Sequence, residues 1–209
     1  MGNLEACSAI ILAAGNSERM GVPKLSLRFR GDTSFIDRCT REFLHAGCRE
    51  IALVVNEQGF EWIGGMDFPE RVIVVLNSFP EFGRFHSIQL GLSQLGKGDP
   101  VFIHNVDNPF IHTEQLLALE RAYHQPAGKK PAEGGRVVIP HHKGRGGHPV
   151  LISPEVGMAI RGEKRADWPF REFLKGFQRI KVPVNDPGVL VNINTIGDYR
   201  AAGLPLREE

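Results

Sequence analysis

The segment Ile10-Ile11-Leu12-Ala13-Ala14-Gly15-Asn16-Ser17-Glu18-Arg19-Met20-Gly21-Val22-Pro23-Lys24 constrains the chain most, because a buried apolar strand breaks there into a glycine-bearing turn that carries two fixed cations. Such a loop is suited to a polyphosphate. Gly15 and Gly21 let backbone N–H groups approach an anion with no Cβ in the way, and Arg19 and Lys24 supply charge-assisted donors. Spacing excludes two common phosphate loops. A Walker A loop has a lysine directly after its second glycine, whereas Val22-Pro23 stand between Gly21 and Lys24. The dinucleotide fingerprint G-x-G-x-x-G is absent too, since Asn16 and Ser17 follow Gly15.

Composition narrows the partners. The 209 residues suit one α/β domain with a central sheet under helices on both faces. Lys and Arg total 25 against 24 for Asp and Glu, so no global basic field exists to drive nucleic-acid binding, and any polyanion is gripped locally. Cys7, Cys39 and Cys48 are widely spaced and odd in number, which suits reduced thiols better than a disulfide framework or a zinc site. Glu5 sits where a signal peptide would be basic or apolar, and no apolar run approaches the ~20 residues that span a bilayer. The expectation is a cytoplasmic protein with no nucleic-acid or membrane partner.

Short apolar runs alternate with helical patterns, as in parallel βαβ units. Ser8–Ala13 is predicted as the first, central strand. Leu25, Leu27 and Phe29 alternate with Ser26 and Arg28, and the chain then turns into a helix that Thr33 or Ser34 caps and Gly47 ends. Ile51–Val55 and Val72–Leu76 read as strands with a short crossover at 59–65. Residues 86–95 read as helix, 101–104 as strand and 113–123 as an amphipathic helix. Residues 125–135 form a solvated loop by composition. Strands come next at 137–140 and 149–152, around a polar link at 141–147 that contains His141 and His142 as loop residues. Helices start at Pro154 and after Pro169, a last strand lies near 179–184, and a terminal helix begins close to Ile196.

In an open parallel sheet the ligand sits beyond the carboxyl ends of the strands, where the crossover direction reverses. Both the Gly15 loop and Asp107 fall at such ends. Asp-Asn-Pro alone reads as a turn or capping aspartate, but beside the loop its carboxylate suits a Mg²⁺ that also contacts phosphates. Asn77 closes a strand ahead of Gly83 and Ser87, where Ser87 serves either as a helix cap or as a donor with a free N–H. Gly146-Gly147-His148-Pro149 comes after Lys143 and Arg145, which would draw in an anion. Asn192-Ile193-Asn194-Thr195 precedes the final helix, and Asn194 and Thr195 read as its caps.

Residues 12–24 resemble the signature LAAGxSxRMGxPK of nucleotidyltransferases that activate small phosphorylated compounds, and within them the chain looks most like the molybdenum cofactor cytidylyltransferase and MobA-like group. That resemblance implies an α/β, Rossmann-like three-layer α/β/α fold of the nucleotide-diphospho-sugar transferase type, with a mostly parallel sheet. It implies a single domain over 1–209, with a donor half over about 1–112 and an acceptor half over about 113–209. Arg19, Lys24 and Asp107 would be catalytic, and Leu12, Ala13, Ala14, Gly15, Ser17, Asn77, Gly83 and Ser87 would bind nucleotide. Mg²⁺ is the implied cofactor, on Asp107 with Asn192 at the family's closing position. Asn192 is an amide where many cytidylyl members carry Asp, so it would position more than ligate, and an Asn-x-Asn-Thr version is familiar in the guanylyl branch. His148, with Lys143 and Arg145, would face a phosphorylated small-molecule acceptor. Leu-Ala-Ala-Gly tilts the donor toward CTP, while Arg84 and His86 depart from the smaller residues of the cytidylyl branch. Three alternatives stay open: a glycosyltransferase, which usually carries D-x-D, another sugar- or alcohol-phosphate nucleotidyltransferase, and a nucleotide-binding regulatory module.

Overall fold

A computed structural model describes residues 4–17, 20–125 and 134–205. Among these described residues, ten strands and seven helices alternate. The first part runs β1 (Ser8–Ala13), β2 (Arg28–Arg30), β3 (Thr33–Ser34), α1 (Phe35–Ala46), β4 (Ile51–Val55), α2 (Glu57–Ile63), β5 (Val72–Leu76), α3 (Gly83–Gln94), β6 (Val101–Asn105) and α4 (Thr113–His124). The second part runs β7 (Arg136–His142), β8 (Arg145–Gly146), β9 (Val150–Ile152), α5 (Pro154–Gly162), α6 (Phe170–Phe173), β10 (Gln178–Pro183) and α7 (Ile196–Ala201).

The main sheet has the order β10-β7-β9-β6-β1-β4-β5, with β8 hairpinned onto β7 and β2 and β3 forming a separate ribbon. Pairing is parallel from β6 through β1 and β4 to β5 and again between β10 and β7, whereas β9 runs antiparallel between β6 and β7. From β1 the chain winds outward through β4 and β5, then returns to place β6 on the other side of β1. The carboxyl ends of β1 and β6 are therefore the point where the winding reverses.

Period-2 alternation divides the apolar side chains between two layers. Ala9, Ile11 and Ala13 of β1 with Ile51, Leu53 and Val55 of β4 pack against α1, α4 and α7. Ile10, Leu12, Ala52 and Val54 face α3, α5 and α6. Strands buried on both faces read as unbroken apolar runs, which is why β1 and β4 were legible as such. Gly91 lets α3 lie close on β1, since a Cβ there would stand 2.8 Å from Ile10 Cγ2. Ser34 caps α1 through a reciprocal box with Asp37, and Gly47 ends it in the left-handed conformation at φ 86°.

Local geometry corrects several expectations. The alternation over 25–29 divides between two elements: Lys24–Ser26 forms a 3-10 turn, which Pro23 leads into, and Arg28–Arg30 extends. The helix expected from 86 begins at Gly83, so Ser87 lies one turn inside it and has neither a capping role nor a free N–H. Gly83 takes φ 84°, a conformation that favours glycine. His141 and His142 end β7 and are not in a loop. Most of the 125–135 loop lies outside the described residues.

Gly147 joins the second half of the sheet to the segment before α7. Its N–H donates to the Pro140 carbonyl, and a Cβ on it would stand 2.2 Å from the Val189 carbonyl oxygen, which also accepts from the His148 N–H. Backbone cannot yield there as a side-chain tip would. Gly147→Ala is expected to destabilise the fold by on the order of 3 kcal/mol, read as a lowered urea midpoint with an unchanged slope.

Candidate active site

β1 delivers the chain into the loop at residues 14–17, and Ser17 organises the return of the chain toward Lys24. With φ 53°, Ser17 turns its carbonyl to accept from Met20 N–H (2.8 Å) and its Oγ to accept from Lys24 N–H (3.1 Å). That closure brings Lys24 back beneath the glycine turn. Lys24 Nζ then donates to Asp107 Oδ2 at 3.0 Å and to Asn194 Oδ1 at 2.6 Å. Three segments distant in sequence meet at one ammonium group.

Asp107 is placed by backbone bonds on both sides: Val106 N–H donates to the Leu12 carbonyl, and the Asp107 carbonyl accepts from Ile193 N–H. Lys24 and Asp107 side chains are each 18% exposed, so their attraction is screened less than that of a surface pair. Asp107 Oδ1 is buried with no hydrogen-bond partner among the described residues. A carboxylate with one oxygen tied and the other unengaged is a ready ligand for a hard cation.

These groups open onto a cleft of about 520 Å³. Residues 12–17 and Lys24 line one side, Pro80 with Gly83, Arg84 and Ser87 another, and 105–107 with Asn194 the floor. Leu12, Ala13, Ala14, Gly15, Ser17, Lys24, Gly83, Ser87 and Asp107 thus share one space. Arg19 lies outside the described residues.

Other candidates fall elsewhere. Asn77 is fully buried and does not line this cleft. Its Nδ2 donates to Ser87 Oγ (3.0 Å) and its Oδ1 accepts from Phe79 N–H (2.9 Å), so the amide braces the turn before α3. Asn77 instead borders a polar hollow of about 380 Å³ that shares Asn16 and Pro80 with the main cleft. In the closing segment Asn194, not Asn192, reaches the cleft; Asn192 Oδ1 is buried without a partner among the described residues. Thr195 alone makes the capping box of α7, with Asp198. Lys143 and Arg145 are exposed at the β7 to β8 turn and do not line the cleft. His148 stands closer, with Nε2 lying 3.3 Å from Asn105 Nδ2.

Arg84, Asn105, Asn16 and Asn194 are cleft residues that sequence reasoning did not assign to a nucleotide site. The sequence signal for Arg84 is a charged residue where the resembling branch carries smaller ones, directly after Gly83. Burial pulls its guanidinium down to about 10, opposed by the field of Asp107, which leaves it charged at neutral pH. Burial and the Arg84 charge hold His148 well below the usual imidazole range.

Residues 9–179 match the MobA-like NTP transferase domain. The chain belongs to that family. Its general chemistry is accordingly transfer of a nucleotidyl group from a nucleoside triphosphate. Solved structures share the fold. Rv0371c from Mycobacterium tuberculosis H37Rv superposes with a TM-score of 0.78 at 18% identity, over 97% of this chain and 98% of that one. A nucleotidyl transferase from Methanothermobacter gives 0.71 at 24% identity, covering 93% and 94%. The molybdopterin-guanine dinucleotide biosynthesis protein A of Archaeoglobus fulgidus gives 0.66 at 17%, covering 94% and 96%.

His104, one residue before the cleft-lining Asn105, is expected to make stability acid-sensitive. It is fully buried, its Nε2 lies 2.9 Å from the Asn108 carbonyl oxygen, and burial lowers it from the usual 6.5 to about 4. Below pH 6.5 the unfolded chain takes up a proton that the folded one refuses, so stability falls as pH drops from 6.5 toward 4. By linkage that loss approaches about 3 kcal/mol. Urea titrations across this window are expected to show a shallower acid limb for His104→Gln than for the wild type.

Proposed function

We propose that this family member is a Mg²⁺-dependent nucleotidyltransferase that moves an NMP, CMP by preference, from an NTP to a phosphorylated small-molecule acceptor and releases pyrophosphate. The observation that carries the reading is the meeting of Lys24, Asp107 and Asn194 on the floor of a cleft walled by the glycine loop. Such a transfer needs no protein nucleophile. An oxygen of the acceptor phosphate attacks the α-phosphorus in line, the bond from that phosphorus to the β-bridging oxygen breaks, and pyrophosphate carries the electron pair away.

The protein's work is then positioning and charge neutralisation. Backbone N–H groups of residues 13–17 with Arg19 hold the triphosphate. Lys24, already anchored through its own N–H to Ser17 Oγ, exchanges its contact with Asn194 for an α-phosphate oxygen and reaches the attacking group. Gly83 and Ser87 border the donor's nucleoside, with Asn77 bracing Ser87 from behind.

The donor set fits a divalent cation. Among the described residues no group of three or more His, Cys, Asp and Glu side chains gathers, but Mg²⁺ is commonly bound by one or two carboxylates together with substrate phosphates and water. Asp107 Oδ1 supplies a protein oxygen left open for it. Bound there, the ion would offset charge developing on the pyrophosphate. A complex of Rv0371c with manganese supports a divalent metal on this fold.

Leu12-Ala13-Ala14-Gly15 supports a pyrimidine donor, and the molybdopterin-linked protein from Archaeoglobus supports a molybdopterin-type acceptor. A thermal-shift panel of the four NTPs with and without Mg²⁺ tests the reading. One nucleotide, expected to be CTP, should raise the melting temperature in a metal-dependent way, and no response to any of them would defeat the proposal. In turnover, Lys24→Ala and Asp107→Ala are each expected to lose on the order of 10²–10³ in rate, read as pyrophosphate release.

A further inference from the structure

Arg84 stands apart from the other sheltered arginines among the described residues. Arg38 donates to the Pro109 and Ile111 carbonyls, Arg136 to Tyr123 and Gln125, and Arg161 to Leu95 and Gly96. Arg84 finds no such acceptor. Its Nε and Nη2 are buried without a hydrogen-bond partner among the described residues, in the first turn of a helix whose N-terminus carries no side-chain cap and no acid. Its guanidinium carbon lies 5.1 Å from the centroid of the Phe170 ring, which fixes the group over an aromatic face.

A partly buried guanidinium with two nitrogens sheltered and unpartnered is costly, and this one lines the cleft with Lys24 and Asp107. Asp107 contributes a field but not a bond: its Oδ2 accepts from Lys24, and its Oδ1 has no hydrogen-bond partner among the described residues. Two cations and one carboxylate are the charged groups that line the cleft among the described residues, so one positive charge is left over.

We infer that Arg84 receives the phosphate group of the acceptor and is a substrate-positioning residue of the reaction. The inference rests on the nucleotidyl-transfer reading above. Phe170 of α6, whose ring lies under the Arg84 guanidinium, comes from the C-terminal half, whereas the triphosphate loop comes from β1. A planar fork of N–H donors suits a phosphate monoester better than a single-point anion. Two anionic phosphates approach each other only with cations on both, and Lys24 and Arg84 line the same cleft. Held neutral, His148 adds no competing positive charge.

The test uses inorganic phosphate as probe, followed by thermal shift with the triphosphate loop saturated by Mg²⁺ and the best nucleotide of the panel. Arg84→Met keeps the length and the contact with Phe170 and removes the charge. It is expected to melt a few degrees higher than the wild type without ligand, to keep the nucleotide shift, and to lose phosphate affinity by about tenfold or more. Arg84→Lys keeps the charge without the fork, so it should retain a reduced phosphate response. A lower melting temperature with the phosphate response intact would mark Arg84 as structural and overturn the inference. Loss of the nucleotide shift in Arg84→Met would assign the residue to the donor and overturn it equally. If no nucleotide shifts the wild type, the proposed function fails, whereas the phosphate responses of wild type and Arg84→Met alone still decide whether Arg84 is an anion receptor.

Discussion

The ammonium of Lys24 is the contact around which the site is assembled. It joins the segment after β1 to the end of β6, 83 residues on, and to the stretch before α7, 170 residues on. Neither bond makes the fold by itself, because a half-buried ion pair returns little after both ions are desolvated. Its consequence is positional. With Asp107 fixed through Val106 to β1 and through its carbonyl to Ile193, the lysine reports the alignment of two parallel strands and of the closing segment at once.

That alignment depends on the sheet. β1 lies between β4 and β6, and its side chains alternate between two buried apolar layers, so a one-residue slip would exchange the two sets and mispack both layers. The antiparallel β9 then lets the second half of the chain extend the same sheet, which carries His148 and α6 to the rim where β1 and β6 part. A parallel-only continuation would have needed another crossover helix at that edge.

Much of this was legible in the residues. β1, β4 and β5 are apolar runs that end in turn chemistry, the glycine loop after β1 among it, and Asp107 comes two residues after the end of β6. Less legible was which of two like residues reaches the cleft. Asn192 and Asn194 are two apart in a non-helical stretch, and spacing of that kind points both to one side, so only the position at which Thr195 starts α7 separates them. The type and place of Asn77 suggest a nucleotide contact, whereas its amide bonds inside the protein, to Ser87 Oγ and Phe79 N–H. Lys143 and Arg145 are the opposite case. Their charge suggested an anion site, but a two-residue strand at a hairpin tip holds them out in solvent. The isolation of Arg84 could not be read at all, since lacking a partner is a property of three dimensions.

A cleft that keeps a guanidinium unpaired and a carboxylate oxygen unengaged is less stable than the same cleft lined with apolar groups. The surrounding structure tolerates it because the polar groups stand on rigid elements with dense packing behind them: Phe85 and Ile88, next to Arg84 in α3, are 1% and 0% exposed. Lys24 and Arg84 are held by different devices, a backbone tie to Ser17 Oγ in one case and an aromatic face in the other. Cations fixed in advance need little rearrangement when an anion arrives, and that preorganisation is the larger part of what such a site contributes to transfer between two phosphates. The orphaned polar atoms of Arg84 and Asp107 are therefore places where the cleft gives up stability, local violations of otherwise consistent packing.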